Sequence, residues 1–176
     1  TNANISKADD ISIFQIDGLS IGQSALKIFS EEEILKGNQN YYKNKKYTTV
    51  RIDSSSSKYD LIEFSYLTND KDYKLANIKG VKWKNFKMDK CLNEINQIFD
   101  ETSLMFKNWN KVNIAKTNHN ADPSGKSFQT WGGFFSNKGN VTMGCTDYST
   151  DFGSRDHLDV SIRNQDFSNF LRIAYK

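Results

Sequence analysis

The sequence is poor in the residues that build metal centres and phosphate sites. Its 176 residues include two cysteines, two histidines and one proline, and only four of its 24 cationic residues are arginine. A structural zinc centre needs about four Cys or His ligands at short spacing, so we expect neither a metal site nor a cofactor. A net charge of +3 is small for a nucleic-acid-binding protein, and arginine is the residue best suited to bidentate phosphate contacts. These scarcities argue against a nucleic-acid-binding module.

Long apolar runs are also absent. No stretch of about 18 consecutive apolar residues occurs, so we expect no membrane insertion. The chain begins with Thr1 rather than Met, which indicates processing or truncation, and removal of a signal peptide is one such route. We therefore expect a periplasmic or secreted location, with the cytoplasm as the alternative.

The residues that are present are sufficient for a folded domain. Hydrophobic residues make up 37% and aromatic residues 13%, which supplies a core, and the charged fraction of 26% is close to the average for globular domains. Only the polar segment 1–10 is expected to be flexible. Residues 11–176 have the usual length of a single domain.

Hydrophobic periodicity predicts alternating groups of strands and helices. The predicted strands lie at 11–16, 47–53, 59–67, 73–83, 112–115, 128–135, 141–148 and 158–163. The predicted helices lie at 21–29, 30–37, 88–106 and after the capping residue Asn164. The serines at 54–57 form a predicted hairpin connection. Short connections indicate an antiparallel sheet, so the expected class is α+β with helices packed on one face. Both halves are βββα-like, which favours a duplication with its boundary near 107–117.

The helix at 88–106 gives the strongest periodic pattern. Leu92, Ile95, Ile98 and Phe99 form an apolar stripe and are expected to be buried. Cys91 lies beside this stripe, whereas Cys145 shares a strand face with Val141 and Met143. Two interpretations of the cysteines remain open. They form a disulfide that closes a loop of about 55 residues, or they are two buried thiols in one core region.

One segment carries a resemblance to known sequences, and it reads Phe14-Gln-Ile-Asp-Gly-Leu-Ser-Ile-Gly-Gln-Ser-Ala-Leu-Lys-Ile-Phe-Ser-Glu-Glu-Glu-Ile34. With Asp89-Lys-Cys-Leu92 and Leu158-Asp-Val-Ser-Ile162, it resembles uncharacterised small proteins of AT-rich marine alphaproteobacteria of the Pelagibacter type. That family implies no catalytic residues. The part from Ile16 to Ser24 also resembles the opening of small envelope lipoprotein domains of the BamE type. This second resemblance implies a Gly-containing turn before a helix that packs on an antiparallel sheet. The lipobox Cys is missing, so anchoring is not implied.

Several polar segments contain residue types that occur in binding or catalytic sites. His119 and His157 are interpreted as solvated loop residues. Ser124-Gly-Lys-Ser127 ends like a phosphate-binding loop, but Asn120 stands where that motif requires glycine and a strand follows, so it is interpreted as a turn. The carboxylates of the loop 147–156 are of a type that binds calcium or performs acid–base hydrolysis, although a polar connector fits them better.

The aromatic strand Trp131-Gly-Gly-Phe-Phe135 is the first choice for a binding surface. Trp131 and Phe135 share one face with Gly133, whereas Phe134 and Gly132 share the other. Glycine within a strand allows a ligand to approach closely. We therefore expect a non-enzymatic, exported domain that binds a protein or a small ligand, with Trp131 and Phe135 as the predicted ligand-binding residues. The alternative is a hydrolase-like enzyme with acidic or polar site residues in the 147–157 loop.

Overall fold

A computed structural model describes residues 10–54 and 58–174. The predicted flexible segment therefore lies outside the described residues except for Asp10, as do the hairpin serines at 55–57. The strands are β1 (Asn38–Gln39), β2 (Tyr47–Asp53), β3 (Leu61–Leu67), β4 (Asn77–Lys82), β5 (Asn110–Asn118), β6 (Phe128–Ser136), β7 (Gly139–Asp147) and β8 (His157–Asn164). The helices are α1 (Glu31–Lys36), α2 (Met88–Met105) and α3 (Gln165–Ala174).

All eight strands of the described chain form one antiparallel sheet, in the order β1-β2-β3-β4-β8-β7-β6-β5. Strands β4 and β8 are therefore neighbours at the centre, and each is followed in sequence by a helix. This arrangement confirms the predicted α+β class with an antiparallel sheet, and α1 and α2 pack on one face of that sheet. The hypothesis of a duplication stays a prediction.

The two faces of the sheet differ in chemistry because successive side chains of a strand point to opposite sides. The covered face carries apolar side chains that pack beneath α1, α2 and the N-terminal segment. Its central members are Val50, Phe64, Ile78, Val141, Met143, Cys145, Val160 and Ile162. The open face carries polar and charged side chains, among them Arg51, Glu63, Lys79, Thr142, Asp159 and Ser161.

Helix α2 contacts the covered face through a stripe that differs slightly from the predicted one. Cys91, Ile95, Phe99 and Thr102 are buried, at spacings of four, four and three residues. The prediction that Leu92 and Ile98 are buried was wrong, because both flank this stripe and are only partly buried. Ile95 and Phe99 are buried as predicted.

The other two helices begin where their capping sequences predict. Ser30 and Glu33 form a reciprocal capping box at the start of α1. At the start of α3, the Asn164 side chain accepts a hydrogen bond from the Phe167 amide at 2.8 Å. Helix α3 lies over one end of the open face, where Phe167 packs edge-on against Tyr47 with ring centroids 5.0 Å apart. The open face is therefore bounded by α3 at this end.

The segment before α1 corrects two predictions. The expected strand at 11–16 and helix at 21–29 are replaced by single 3-10 turns at Ile11–Ile13 and Ala25–Lys27. The cause lies in tertiary hydrogen bonds, because Gly22 donates to the Leu75 carbonyl at 2.8 Å and Ala25 donates to the Tyr73 carbonyl at 3.1 Å. These bonds also occupy the start of the predicted strand at 73–83, so β4 begins only at Asn77.

Candidate ligand-binding face

A row of alternating charges crosses the open face. Arg51 on β2 stands opposite Glu63 on β3, which stands opposite Lys79 on β4. Asp159 on β8 stands opposite Val81, diagonally from Lys79, and completes this charged row. Arg51 Nε lies 3.8 Å from Glu63 Oε2, and Lys79 Nζ lies 3.3 Å from Asp159 Oδ2. Facing side chains of neighbouring strands are close enough to interact, so the register itself assembles the row.

Three of the four members of the charged row are half-buried, and Arg51 at its end is exposed. The side chains of Glu63 and Asp159 are each 23% exposed, and that of Lys79 is 32% exposed. The Asp159 carboxylate raises the pKa of Lys79, and burial opposes this effect only in part. Lys79 is therefore held as a cation, with its charge balanced inside the protein.

His157 joins this row, which corrects its interpretation as a solvated loop residue. It is the first residue of β8, its side chain is 17% exposed, and its Nε2 lies 3.8 Å from Asp159 Oδ1. Its Nδ1 lies 2.9 Å from the Arg155 carbonyl oxygen. A carbonyl only accepts, so this geometry assigns a proton to Nδ1. His157 therefore has a fixed orientation at the edge of the row.

A cleft of about 510 Å³ lies above the charged row. Its lining residues are Arg51, Asp53, Leu61, Glu63, Lys79, Val81, Trp83, Tyr148, Ser154, Arg155 and His157. Cavities of this size are typical of small-molecule sites. The lining combines charged groups, a small apolar floor and aromatic walls, so it offers both hydrogen bonds and flat packing surfaces.

The wall that carries Trp83 is fixed by a carboxylate. Asp60 accepts hydrogen bonds from the backbone amides of Trp83 and Lys84, both at 2.8 Å. Burial raises the pKa of Asp60, but these bonds outweigh it and hold the pKa below its usual range. The chain after β4 is thereby held against the cleft.

The opposite wall is fixed by Asp122. Asp122 accepts hydrogen bonds from the amides of Ser124 and Ser127 and from the Ser127 hydroxyl, and the Ser149 amide donates to that hydroxyl at 2.9 Å. The bond from the Ser127 side chain is the main reason that the pKa of Asp122 lies well below its usual range. The Ser124–Ser127 turn therefore connects two loops, and Tyr148 belongs to the second of them.

Trp131 lies beside a second groove, of about 170 Å³, on the open face. Its partner across the ladder is Gly144, and Gly133 follows it on the same face. Phe135 lies on the same face but lines neither this groove nor the cleft. Phe134 points to the covered face, where its ring centroid is 4.9 Å from that of Phe99. The ligand-binding role predicted for Trp131 and Phe135 stays a prediction.

The carboxylates of the 147–156 loop have different partners. Asp156 accepts a hydrogen bond from the Tyr148 amide at 2.8 Å, and Asp151 pairs with Lys126 at 3.2 Å on the surface. Asp147 is exposed. Within 10–54 and 58–174, no group of three or more His, Cys, Asp or Glu side chains is placed to hold a metal ion. The loop thus uses two of its carboxylates in structural contacts.

A disulfide joins Cys91 and Cys145 beneath the covered face. Their Cα atoms are 6.0 Å apart, and both residues are buried. The bond connects α2 to β7, so it links the helix that covers the sheet to a strand of the second half. It lies on the opposite side of the sheet from the cleft.

The charged row is the part of the site that sequence reasoning missed. Each of Arg51, Glu63 and Lys79 is a single charged residue within an otherwise apolar or neutral strand centre. That pattern marks a strand with one polar face, but only the register shows that the three residues stand side by side. A search for isolated charges at matching positions of consecutive strands would have found them.

Comparison of the chain with protein-family models, curated proteins and solved structures found no match. The two resemblances drawn from sequence segments therefore stay predictions. In the part of the chain that the structure describes, no helix has both the length and the apolar character needed to cross a membrane.

Proposed function

We propose that this chain is a non-enzymatic, exported domain that binds a small polar ligand in the cleft of the open face. The observation that carries the proposal is the charged row at the base of the cleft. Glu63, Lys79 and Asp159 are half-buried, and all four members of the row are paired and lie on strands of the sheet. Groups preorganised in this way are available to a ligand without further ordering.

The shape of the site favours a small ligand over a protein partner. The cleft is concave, and Trp83 and Tyr148 stand at its walls. Ligand pockets commonly combine aromatic walls with a few precisely placed polar groups. The disulfide between Cys91 and Cys145 supports export, because disulfides persist mainly in oxidising compartments.

Binding is tested by thermal-shift measurement against a panel of amino acids, sugars, nucleotides and small dicarboxylates. We expect one of these classes to raise the melting temperature. Lys79→Met and Glu63→Gln should each weaken binding of that class by about tenfold or more, because charge-assisted hydrogen bonds are lost.

The matched control is Lys82→Met. Lys82 lies on the same strand as Lys79 but on the opposite face, and it pairs with Glu94 at 2.9 Å. This variant should bind as the unmodified protein does. The proposal fails if no class in the panel binds, or if Lys82→Met weakens binding as much as Lys79→Met.

A further inference from the structure

The cleft and the groove beside Trp131 are two separate depressions that meet at one residue. Asp159 lines the groove, and its two carboxylate oxygens contact Lys79 and His157, which line the cleft. A ligand that occupies both depressions would follow a path across the strands from β2 to β6. Five inter-strand spacings of about 4.8 Å make this path roughly 24 Å long. A ligand of that length is a chain rather than a single small molecule.

The far end of this path is an uncrowded aromatic surface. A side chain at Gly144 would bring its Cβ to within 3.1 Å of the Trp131 Cβ, so glycine leaves room beside the indole. Gly133, two residues further along β6, likewise places no side chain on the open face. Gln129 and Thr142 line the same groove. A flat apolar ring with hydroxyl and amide groups around it fits a ligand ring that has one apolar face and polar edges.

The charges along the path balance. Three cations and three carboxylates line the cleft and the groove, namely Arg51, Lys79 and Arg155 with Asp53, Glu63 and Asp159. An anionic polymer such as a nucleic acid needs a clear excess of cations. Paired charges favour a neutral ligand whose hydroxyl groups both donate and accept, because such a ligand satisfies donors and acceptors alike.

An extended peptide fits this surface less well. Peptides that bind sheets commonly pair with the free edge of a strand. The backbone groups of β3, β4, β8, β7 and β6 pair with neighbouring strands on both sides. The open face therefore presents only side chains, which suits hydroxyl recognition better than backbone pairing.

We propose that the ligand is a neutral oligosaccharide that lies across the strands, with one end on the charged row and another sugar ring stacked on Trp131. This inference rests on the proposed binding function of the cleft and extends it to a ligand class. Trp131 forms a second subsite, so it should contribute to binding only when the ligand is long enough to reach it.

The probe is an array of neutral glycans, followed by calorimetric titration with the best-binding glycan type from monosaccharide to hexasaccharide. We expect the hexasaccharide to bind about tenfold or more tightly than the monosaccharide, because one stacked sugar ring contributes that much to the affinity. Trp131→Ala should remove that gain for the hexasaccharide and leave the disaccharide unchanged, and Trp131→Phe should restore part of it. Glu63→Gln should weaken every length.

Phe128→Ala is the control, since Phe128 is an aromatic residue of the same strand that lies on the opposite face and outside the groove. It should bind every length as the unmodified protein does, and melting curves of all variants establish that they are folded. Absence of binding on the array, equal affinity at all lengths, or no effect of Trp131→Ala would each overturn the oligosaccharide proposal. If a compound of another class binds with Glu63→Gln sensitivity, only this inference falls. If neither glycans nor the small-molecule panel bind, the proposed function falls with it.

Discussion

The two faces of the central strands differ in chemistry, although the same strands form both of them. On the covered face, Ile78 and Ile162 are fully buried, whereas on the open face Lys79 and Ser161 stand directly opposite each other one residue further along. Burial of apolar surface is the main favourable contribution to folding. The covered face therefore carries most of the stability, and this leaves the open face free to carry polar groups suited to binding.

The open face is nevertheless ordered by many small contacts. Thr49 and Ser65 share a hydrogen bond of 2.8 Å, and so do Thr142 and Ser161. Each such bond contributes about 1 kcal/mol to stability. The hydroxyl pairs lie beside the charged row and add no apolar patch to the open face. Substitutions on the covered face should therefore mainly lower the stability, and substitutions on the open face should mainly weaken binding.

The sharpest test of this difference uses two neighbouring phenylalanines of β6. Phe134→Ala removes a buried ring from the covered face and should lower the free energy of unfolding by about 3–5 kcal/mol. Phe135→Ala, on the half-buried open side, should lower it by less than about half as much. Urea unfolding followed by circular dichroism measures both. Equal losses would show that the open face contributes as much to the core as the covered face does.

The disulfide provides the next largest expected effect. It links residues 54 positions apart. Replacing both cysteines with alanine should lower the free energy of unfolding by roughly 3–4 kcal/mol, because the unfolded chain gains freedom. Ligand binding should persist under conditions in which the variant is folded, since the bond lies on the covered face.

The intact mass before and after reduction shows whether the disulfide is present. Alkylation under denaturing conditions counts the free thiols. Reduction of the unmodified protein should reproduce the loss of stability seen in the double alanine variant. Two thiols that alkylate without prior reduction would contradict the structure and would remove the support for export.

The sequence predicts a structural feature well when the residues that determine it are close together in the chain. The strands and α2 follow periodicity within single segments, and the caps at Ser30 and Asn164 involve residues three positions apart. These features were predictable because their partners are close in sequence. The expected helix at 21–29 failed because its amides bond instead to the backbone of Tyr73 and Leu75. A local sequence pattern does not show hydrogen bonds to backbone groups that are distant in the chain.

The candidate site shows the same limit more strongly. Trp131 was found from its own strand, because glycines beside an aromatic residue are visible in sequence. Glu63 and Lys79 were not found, since their significance arises only when β3 and β4 pair in one register. His157 was assigned to solvent for a different reason, because the predicted strand began at Leu158, whereas β8 begins at His157 and so places it on the same face as Asp159.

The smallest expected effect concerns the wall of the open face and its dependence on pH. The folded pKa of Asp122 is depressed, chiefly by the hydrogen bond from Ser127. A carboxylate of this kind adds stability above its unfolded pKa of about 3.9, and that contribution is lost as the pH falls through the lower folded value. Asp122→Asn should therefore be less stable than the unmodified protein near neutral pH, and the free energies of unfolding of the two proteins should converge as the pH falls below about 3.9.

Asp151→Asn is the matched control in the neighbouring loop, because its ion pair with Lys126 is exposed and contributes little. Urea unfolding across the acidic range measures the difference. A gap between Asp122→Asn and the unmodified protein that stays constant from neutral to strongly acidic pH would mean that the shape of this side chain, and not its charge, holds the wall of the cleft.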